Sequence, residues 1–150
     1  MKVVLVFLLL LGLAGGGYFF IQQSQLGQAP LGALVSSETQ ALIKHTRSFM
    51  EDLRYKDFKS AAKYSLPEQQ GKYNIPALIE RLFQIKPEFM DIQNYEVTST
   101  DFDSSGQRAR VHLKSEIKVL NTNELRKPEV ILYFKKQADA WYMDLASSIK

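Results

Sequence analysis

The sequence predicts an α+β domain in which three helices are followed by four consecutive antiparallel strands, preceded by one N-terminal transmembrane helix. Three observations point there. Lys2 is the only charge in the first 37 residues, whereas residues 38–150 carry the other 34. Apolar residues recur at helical spacing from Leu42 to Ile85. After Asp91 the spacing changes to two, most regularly from Arg108 to Leu120.

At 150 residues the chain holds one domain. Beyond the leader, about 113 residues carry 18 basic and 16 acidic side chains, and a chain of that size buries a core without metal or disulfide staples. Charges interleaved with regular apolar positions exclude wholesale disorder. A domain balance of +2 gives little reason to expect a general polyanion binder. Cysteine is absent, which excludes a lipobox cysteine, structural disulfides, thiolate catalysis and cysteine-ligated metal.

Residues 3–21, VVLVFLLLLGLAGGGYFFI, are uncharged and mostly apolar. A helix of that length spans about 28 Å, close to the hydrocarbon thickness of a bilayer. As an uncleaved anchor it places Tyr18, Phe19 and Phe20 near the far interface. As a signal peptide it is cut after Gly12-Leu13-Ala14, with small residues at the two specificity positions. The apolar run continues well past Ala14, which favours the anchor. Either way the domain is exported, because Lys2 holds the N-terminus inside and no other basic residue precedes Lys44. The expected location is the bacterial inner membrane, single pass, with the domain on the periplasmic side; the alternative is a secreted or periplasmic protein after cleavage. Residues 1–21 are thus leader and residues 22–36, rich in Gln, Gly and Ser, a linker. Residues 37–150 form the domain.

The domain opens on Ser37-Glu38-Thr39-Gln40, a capping-box pattern, and Leu42, Phe49, Met50 and Leu53 predict a helix over 38–54. Asp57 caps a second, short helix with Phe58, Ala61, Ala62 and Tyr64. Ser65-Leu66-Pro67-Glu68 repeats the start signal, and Gly71 closes that turn. Asn74 and Pro76 open a third helix carrying Leu78, Ile79, Leu82, Phe83 and Ile85, which Pro87 ends. The predicted strands are 95–102, 108–120, 129–136 and 141–145. Asp103-Ser104-Ser105-Gly106 is turn chemistry, and Asn121-Thr122-Asn123-Glu124 breaks the second strand.

Three passages carry a resemblance. Phe49-Met50-Glu51-Asp52-Leu53 runs into Tyr55-Lys56-Asp57-Phe58 and Ala61-Ala62-Lys63-Tyr64; Arg108-Ala109-Arg110-Val111-His112-Leu113 forms a long second strand; and residues 135–145 end in Trp141-Tyr142-Met143-Asp144-Leu145. In this order they resemble the nuclear transport factor 2-like (cystatin-like) superfamily, of the membrane-anchored bacterial envelope type. The resemblance implies helices packed on a curved four-stranded antiparallel sheet that closes into a cone. Many members place glycine before the aspartate of the turn, where this chain has Lys56. The superfamily includes ketosteroid isomerase-like enzymes, ligand binders and envelope domains with one N-terminal span, a tether and one small domain. The last layout matches this chain, and so implies a role in assembly.

Isomerase-like chemistry needs a carboxylate base and a hydroxyl or protonated acid aimed at one oxyanion in an apolar cavity. Tyr55, Tyr64 and Tyr95 supply candidate hydroxyls, but Asp101 and Asp103 flank a turn, where solvated carboxylates are ordinary. His45 borders the apolar stripe of the first helix; His45, Tyr64 and Tyr95 are the polar candidates for lining the cone. Two histidines so far apart make no metal site, and no phosphate-cradling loop, nucleophile elbow or HExxH motif occurs. No catalytic residue and no cofactor is expected.

The second strand places Arg108, Arg110, His112, Lys114 and Lys118 on one face, with alternate residues about 6.6 Å apart. This row is either a solvated face or a contact for an acidic partner or anionic headgroups. The third strand carries Val130, Leu132 and Phe134 on one side and Ile131 and Tyr133 on the other, which suggests that its outer side is also covered. The sequence therefore reads as a non-catalytic, membrane-anchored envelope domain mediating protein–protein interaction, a subunit or accessory of a membrane complex. Its expected partners are other envelope or membrane proteins, with homo-oligomerisation a further option and nucleic acid excluded by export. The alternative is a small-ligand-binding or isomerase-like protein using the cone cavity.

Overall fold

The computed structural model describes residues 36–149; the expected anchor and almost all of the linker lie outside the described residues. Helix α1 (Ser37–Arg54) begins within the capping-box pattern, with Glu38 in its first turn and Arg54 in its last, each matched to the helix dipole. Its buried residues, Leu42, Thr46, Phe49, Met50 and Leu53, form one stripe. In α2 (Phe58–Ala62) the Asp57 carboxylate accepts the Ser60 N–H at 3.0 Å. Helix α3 (Pro67–Gln70) starts on proline and stops at Gly71. Helix α4 (Ile75–Phe83) is capped by the Asn74 side chain and ends at Gln84, which is left-handed. A 3₁₀ turn, Pro87–Phe89, leads into the sheet.

Five strands follow: β1 (Met90–Phe102), β2 (Arg108–Val119), β3 (Glu124–Arg126), β4 (Glu129–Gln137) and β5 (Ala140–Met143). The order is β1-β2-β4-β5, with β3 paired to β2, and every pairing is antiparallel. The sheet curls into a half-barrel. Its inner face is the core: Val111, Leu113 and Ile117 of β2, Leu132 and Phe134 of β4 and Met143 of β5 pack with Leu42, Phe49 and Met50 of α1 and Ile79 and Phe83 of α4. Burying one such side chain contributes about 1.5–3 kcal/mol, so this layer dominates stability.

The architecture is α+β as predicted, with four differences in detail. The turn closed by Gly71 is itself a short helix, α3, so four helices precede the sheet instead of three. Strand β1 starts at Met90, five residues before Tyr95. Its register shifts between Ile92 and Asn94 and again between Val97 and Ser99. A bulge adds one residue and hides the period of two, so Ile92 and Tyr95, three apart, lie opposite Ile117 and Ser115 of the buried β2 face. Strand β3 lies between the break read at 121–124, whose last residue it shares, and the strand expected from Glu129, its side chains exposed and without the alternation that signals a strand. The last strand ends at Met143, because the Asp144 side chain accepts the Ser147 N–H and caps a further helix, α5 (Leu145–Ser148). Among the described residues no helix is long and apolar enough to cross a membrane.

Candidate functional site on the outer sheet face

Alternation along β2 turns Arg108, Arg110, His112, Lys114, Glu116 and Lys118 away from the core. The row read from sequence as a line of positive charge is, in three dimensions, interleaved with carboxylates from neighbouring strands. His112 Nε2 lies 3.1 Å from Asp101 Oδ2 on β1, Lys114 Nζ 3.1 Å from Glu129 Oε1 on β4, and Lys127 Nζ 2.5 Å from Glu116 Oε1. Lys118 stands opposite Asp91 of β1 and Leu125 of β3. Arg108 and Arg110 differ: among the described residues neither guanidinium has a carboxylate oxygen within 4.0 Å, although the Arg108 backbone N–H donates to Asp103 Oδ1 at 3.3 Å.

On β4, directly beside this row, Ile131 and Tyr133 are half-buried; they pair with His112 and Arg110. Helix α5 closes the edge of β4 beyond the end of β5. The Tyr133 N–H donates to Ser148 Oγ at 2.9 Å, and the Asp144 N–H donates to the Tyr133 carbonyl at 2.7 Å. Where β1 bulges, a shallow groove of about 300 Å³ opens between β1, β2 and the start of β4, lined by Asn94, Tyr95, Glu96, Lys114, Glu116 and Glu129 among others. Its lining is mostly charged, with Lys114 already bound to Glu129.

The three interior candidates do not converge. His45 and Tyr64 meet, with ring centroids 5.8 Å apart. Burial pushes the His45 pKa down, opposed by the Trp141 carbonyl, and His45 Nδ1 is buried without a hydrogen-bond partner. Tyr95 instead works at the other end of α1. Its hydroxyl donates to Glu51 Oε1 at 2.5 Å, and the Arg54 guanidinium lies 5.3 Å from its ring centroid. Burial, then the Glu51 carboxylate, pushes the Tyr95 pKa up to about 12, so the phenol stays protonated and ties α1 to β1. Asp101 lies on the outer face with His112, and Asp103 is held below its usual pKa by the Ser105 hydroxyl within its own turn. Tyr55 is exposed. Asp101 is paired with His112 and Asp103 with Ser105, and among the described residues neither is hydrogen-bonded to the Tyr55, Tyr64 or Tyr95 hydroxyl. Among the described residues no group of three His, Cys, Asp or Glu is placed to hold a metal.

Two polar centres escaped the sequence reading. Asp144, 2% exposed, binds Lys135 Nζ at 2.6 Å, Gln69 Nε2 at 2.7 Å and the Ser147 hydroxyl at 2.7 Å. Burial pushes its pKa up, but Lys135, Ser147 and Gln69 outweigh burial and hold it at about 2. Lys56 adopts φ 62, and its ammonium donates to the carbonyls of Pro87 (2.6 Å) and Met90. Nothing in spacing identifies either, because each joins segments far apart in sequence.

No protein-family model and no curated protein matches this chain. Solved structures do. A SEC-C motif containing protein from Rhodopseudomonas palustris is 18% identical with a TM-score of 0.52, over 66% of this chain and 71% of that one. Another SEC-C motif containing protein, from Psychrobacter arcticus, is 20% identical with a TM-score of 0.47, and the match spans 66% of this chain and 55% of that one. The first likeness establishes a shared fold, an α+β domain built on a curled antiparallel sheet.

Proposed function

We propose that this chain is a non-catalytic envelope protein, anchored in the bacterial inner membrane by residues 3–21, whose periplasmic domain docks another protein on its outer sheet face. On this reading residues 22–36 tether the domain, and the protein is a subunit or accessory of a membrane complex. The observation that carries the proposal is half-buried Ile131, an apolar side chain on the outer face of β4 opposite His112 and set in a lattice of charged side chains. A mixed apolar and charged patch of this kind suits a protein partner. The inner face supports the same reading, since Phe49, Phe83 and Trp141, the residues that would have to leave room for a ligand, are all buried in one core.

Membership of the nuclear transport factor 2-like superfamily is part of the proposal. It is supported by the helix, turn and helix order at residues 37–62 and by Lys56. That residue departs from glycine, yet its φ of 62 is the conformation glycine favours.

The test is purification of the tagged full-length protein from its native membranes in gentle detergent, followed by mass spectrometry. The expected result is an intact leader and a stoichiometric partner that is lost in the Ile131→Ser/Tyr133→Ser double variant. A cleaved, partner-free protein would overturn the proposal and turn attention to the groove beside Tyr95.

A further inference from the structure

We infer that Arg108 and Arg110 are the docking point for an acidic segment of the partner protein, an inference that rests on the outer-face reading above. The charges around them make the case. Among the described residues the nearby carboxylates have other partners: Asp103 accepts from the Ser105 hydroxyl and from the Ser105 and Arg108 backbone N–H groups. Asp101, directly opposite Arg110, binds His112. Asp144 takes the ammonium of Lys135. Arg108 stands directly opposite Lys135, an arrangement of like charges that is unfavourable within a sheet. Among the described residues two exposed guanidiniums are thus left without an ion-pair partner on a face where the neighbouring His112, Lys114 and Glu116 each have one.

Geometry narrows the ligand. Residues two apart on one strand project about 6.6 Å apart, which matches carboxylates two residues apart on an extended partner segment. Guanidinium presents a planar fork that binds carboxylate in bidentate fashion. Tyr133 and Tyr142, cross-strand neighbours of Arg110 and Lys135, flank the pair and provide aromatic contact area for an accompanying peptide backbone. A lipid headgroup would need the charge without these flanking aromatics, so a protein segment fits the site better.

The experiment uses full-length protein in phosphatidylcholine nanodiscs and a fluorescein-labelled peptide of alternating glutamate and serine, with a glutamine and serine peptide as control. Anisotropy is expected to show saturable binding of the acidic peptide only, weakened roughly tenfold or more in Arg108→Gln/Arg110→Gln and unchanged in Lys59→Gln, an exposed lysine of α2. Equal binding by wild type and the arginine variant would overturn the inference. So would binding to phosphatidylglycerol vesicles that depends on the two arginines while the peptide does not bind. Retention of the native partner by Arg108→Gln/Arg110→Gln, together with its loss in Ile131→Ser/Tyr133→Ser, would overturn the acidic-segment inference while leaving the outer-face reading intact. Loss in neither variant would remove both.

Discussion

Gln69 and Asp144, 75 positions apart, are joined by a 2.7 Å hydrogen bond from the Gln69 amide to Asp144 Oδ1 inside the protein. This bond fastens α3 to the point where β5 becomes α5, and Lys135 of β4 binds the second carboxylate oxygen. A buried carboxylate with this many donors is worth more than its hydrogen bonds counted singly, because removing it strands the donors.

Asp144→Ala is therefore expected to destabilise the domain by about 2–4 kcal/mol, read by chemical denaturation. The acid profile provides a second check. The folded pKa of about 2 lies below the ordinary 3.8, so the stabilisation is complete above about pH 4 and lost as pH falls toward 2. At about 1.4 kcal/mol per unit this amounts to about 2 kcal/mol. Thermal unfolding from pH 2 to 6 should show wild type losing its advantage over Asp144→Asn across that window. A constant difference would contradict the assignment.

His45 carries the opposite ionisation with the same direction of pH dependence. Burial lowers its pKa, and the adjacent Lys44 charge acts in the same sense, against the Trp141 carbonyl. The fold favours neutral imidazole, so its contribution is complete above the unfolded pKa of about 6.5 and lost as pH falls below it. Urea midpoints between pH 5 and 8 are expected to fall on the acid side in wild type. His45→Phe, which keeps a ring against Tyr64, is expected to flatten that slope.

Lys56 combines a left-handed backbone with two ammonium–carbonyl bonds across to the start of β1. Lys56→Ala keeps the unfavourable backbone and loses both bonds, and is expected to cost about 2 kcal/mol. Lys56→Gly loses the bonds but relieves the backbone, so its loss should be about 1 kcal/mol smaller. Equal stability of the two variants would show that the φ value carries no strain.

Glu38, in the first turn of α1, accepts hydrogen bonds from Trp141 Nε1 and from Lys136 Nζ, the latter at 2.7 Å. Trp141 is the single tryptophan of the chain, which makes its emission a direct reporter. Glu38→Ala is expected to shift that emission to longer wavelength and to speed amide exchange in the first turn of α1. An unchanged spectrum would mean that the start of α1 is held by Leu42 and its apolar neighbours alone.

Much of this fold was legible because its local signals agree. The pattern at Ser37, the caps Asp57 and Asn74 and the prolines at 67 and 76 each act within one helical turn. The alternation of β2 is uninterrupted, so its buried face, from Ala109 to Val119, could be read residue by residue. Strand β1 was only half legible because its bulges shift the inward positions, and β3 escaped because none of its three side chains is buried.

The sequence by itself determined the change from helices to strands, the faces of β2 and β4 and the apolar character of residues 3–21, because hydrophobic period and capping chemistry are local. Only the tertiary structure decided what the charged face presents. Sequence shows that Arg108, Arg110, His112 and Lys114 share one side; which of them meets a carboxylate depends on the register of β1 and β4 against β2. That register gives Asp101 to His112 and Glu129 to Lys114 and, among the described residues, leaves the two guanidiniums without an ion-pair partner. Strand pairing is a non-local choice, made by burying the inner face, and the pattern of outward charges follows from it.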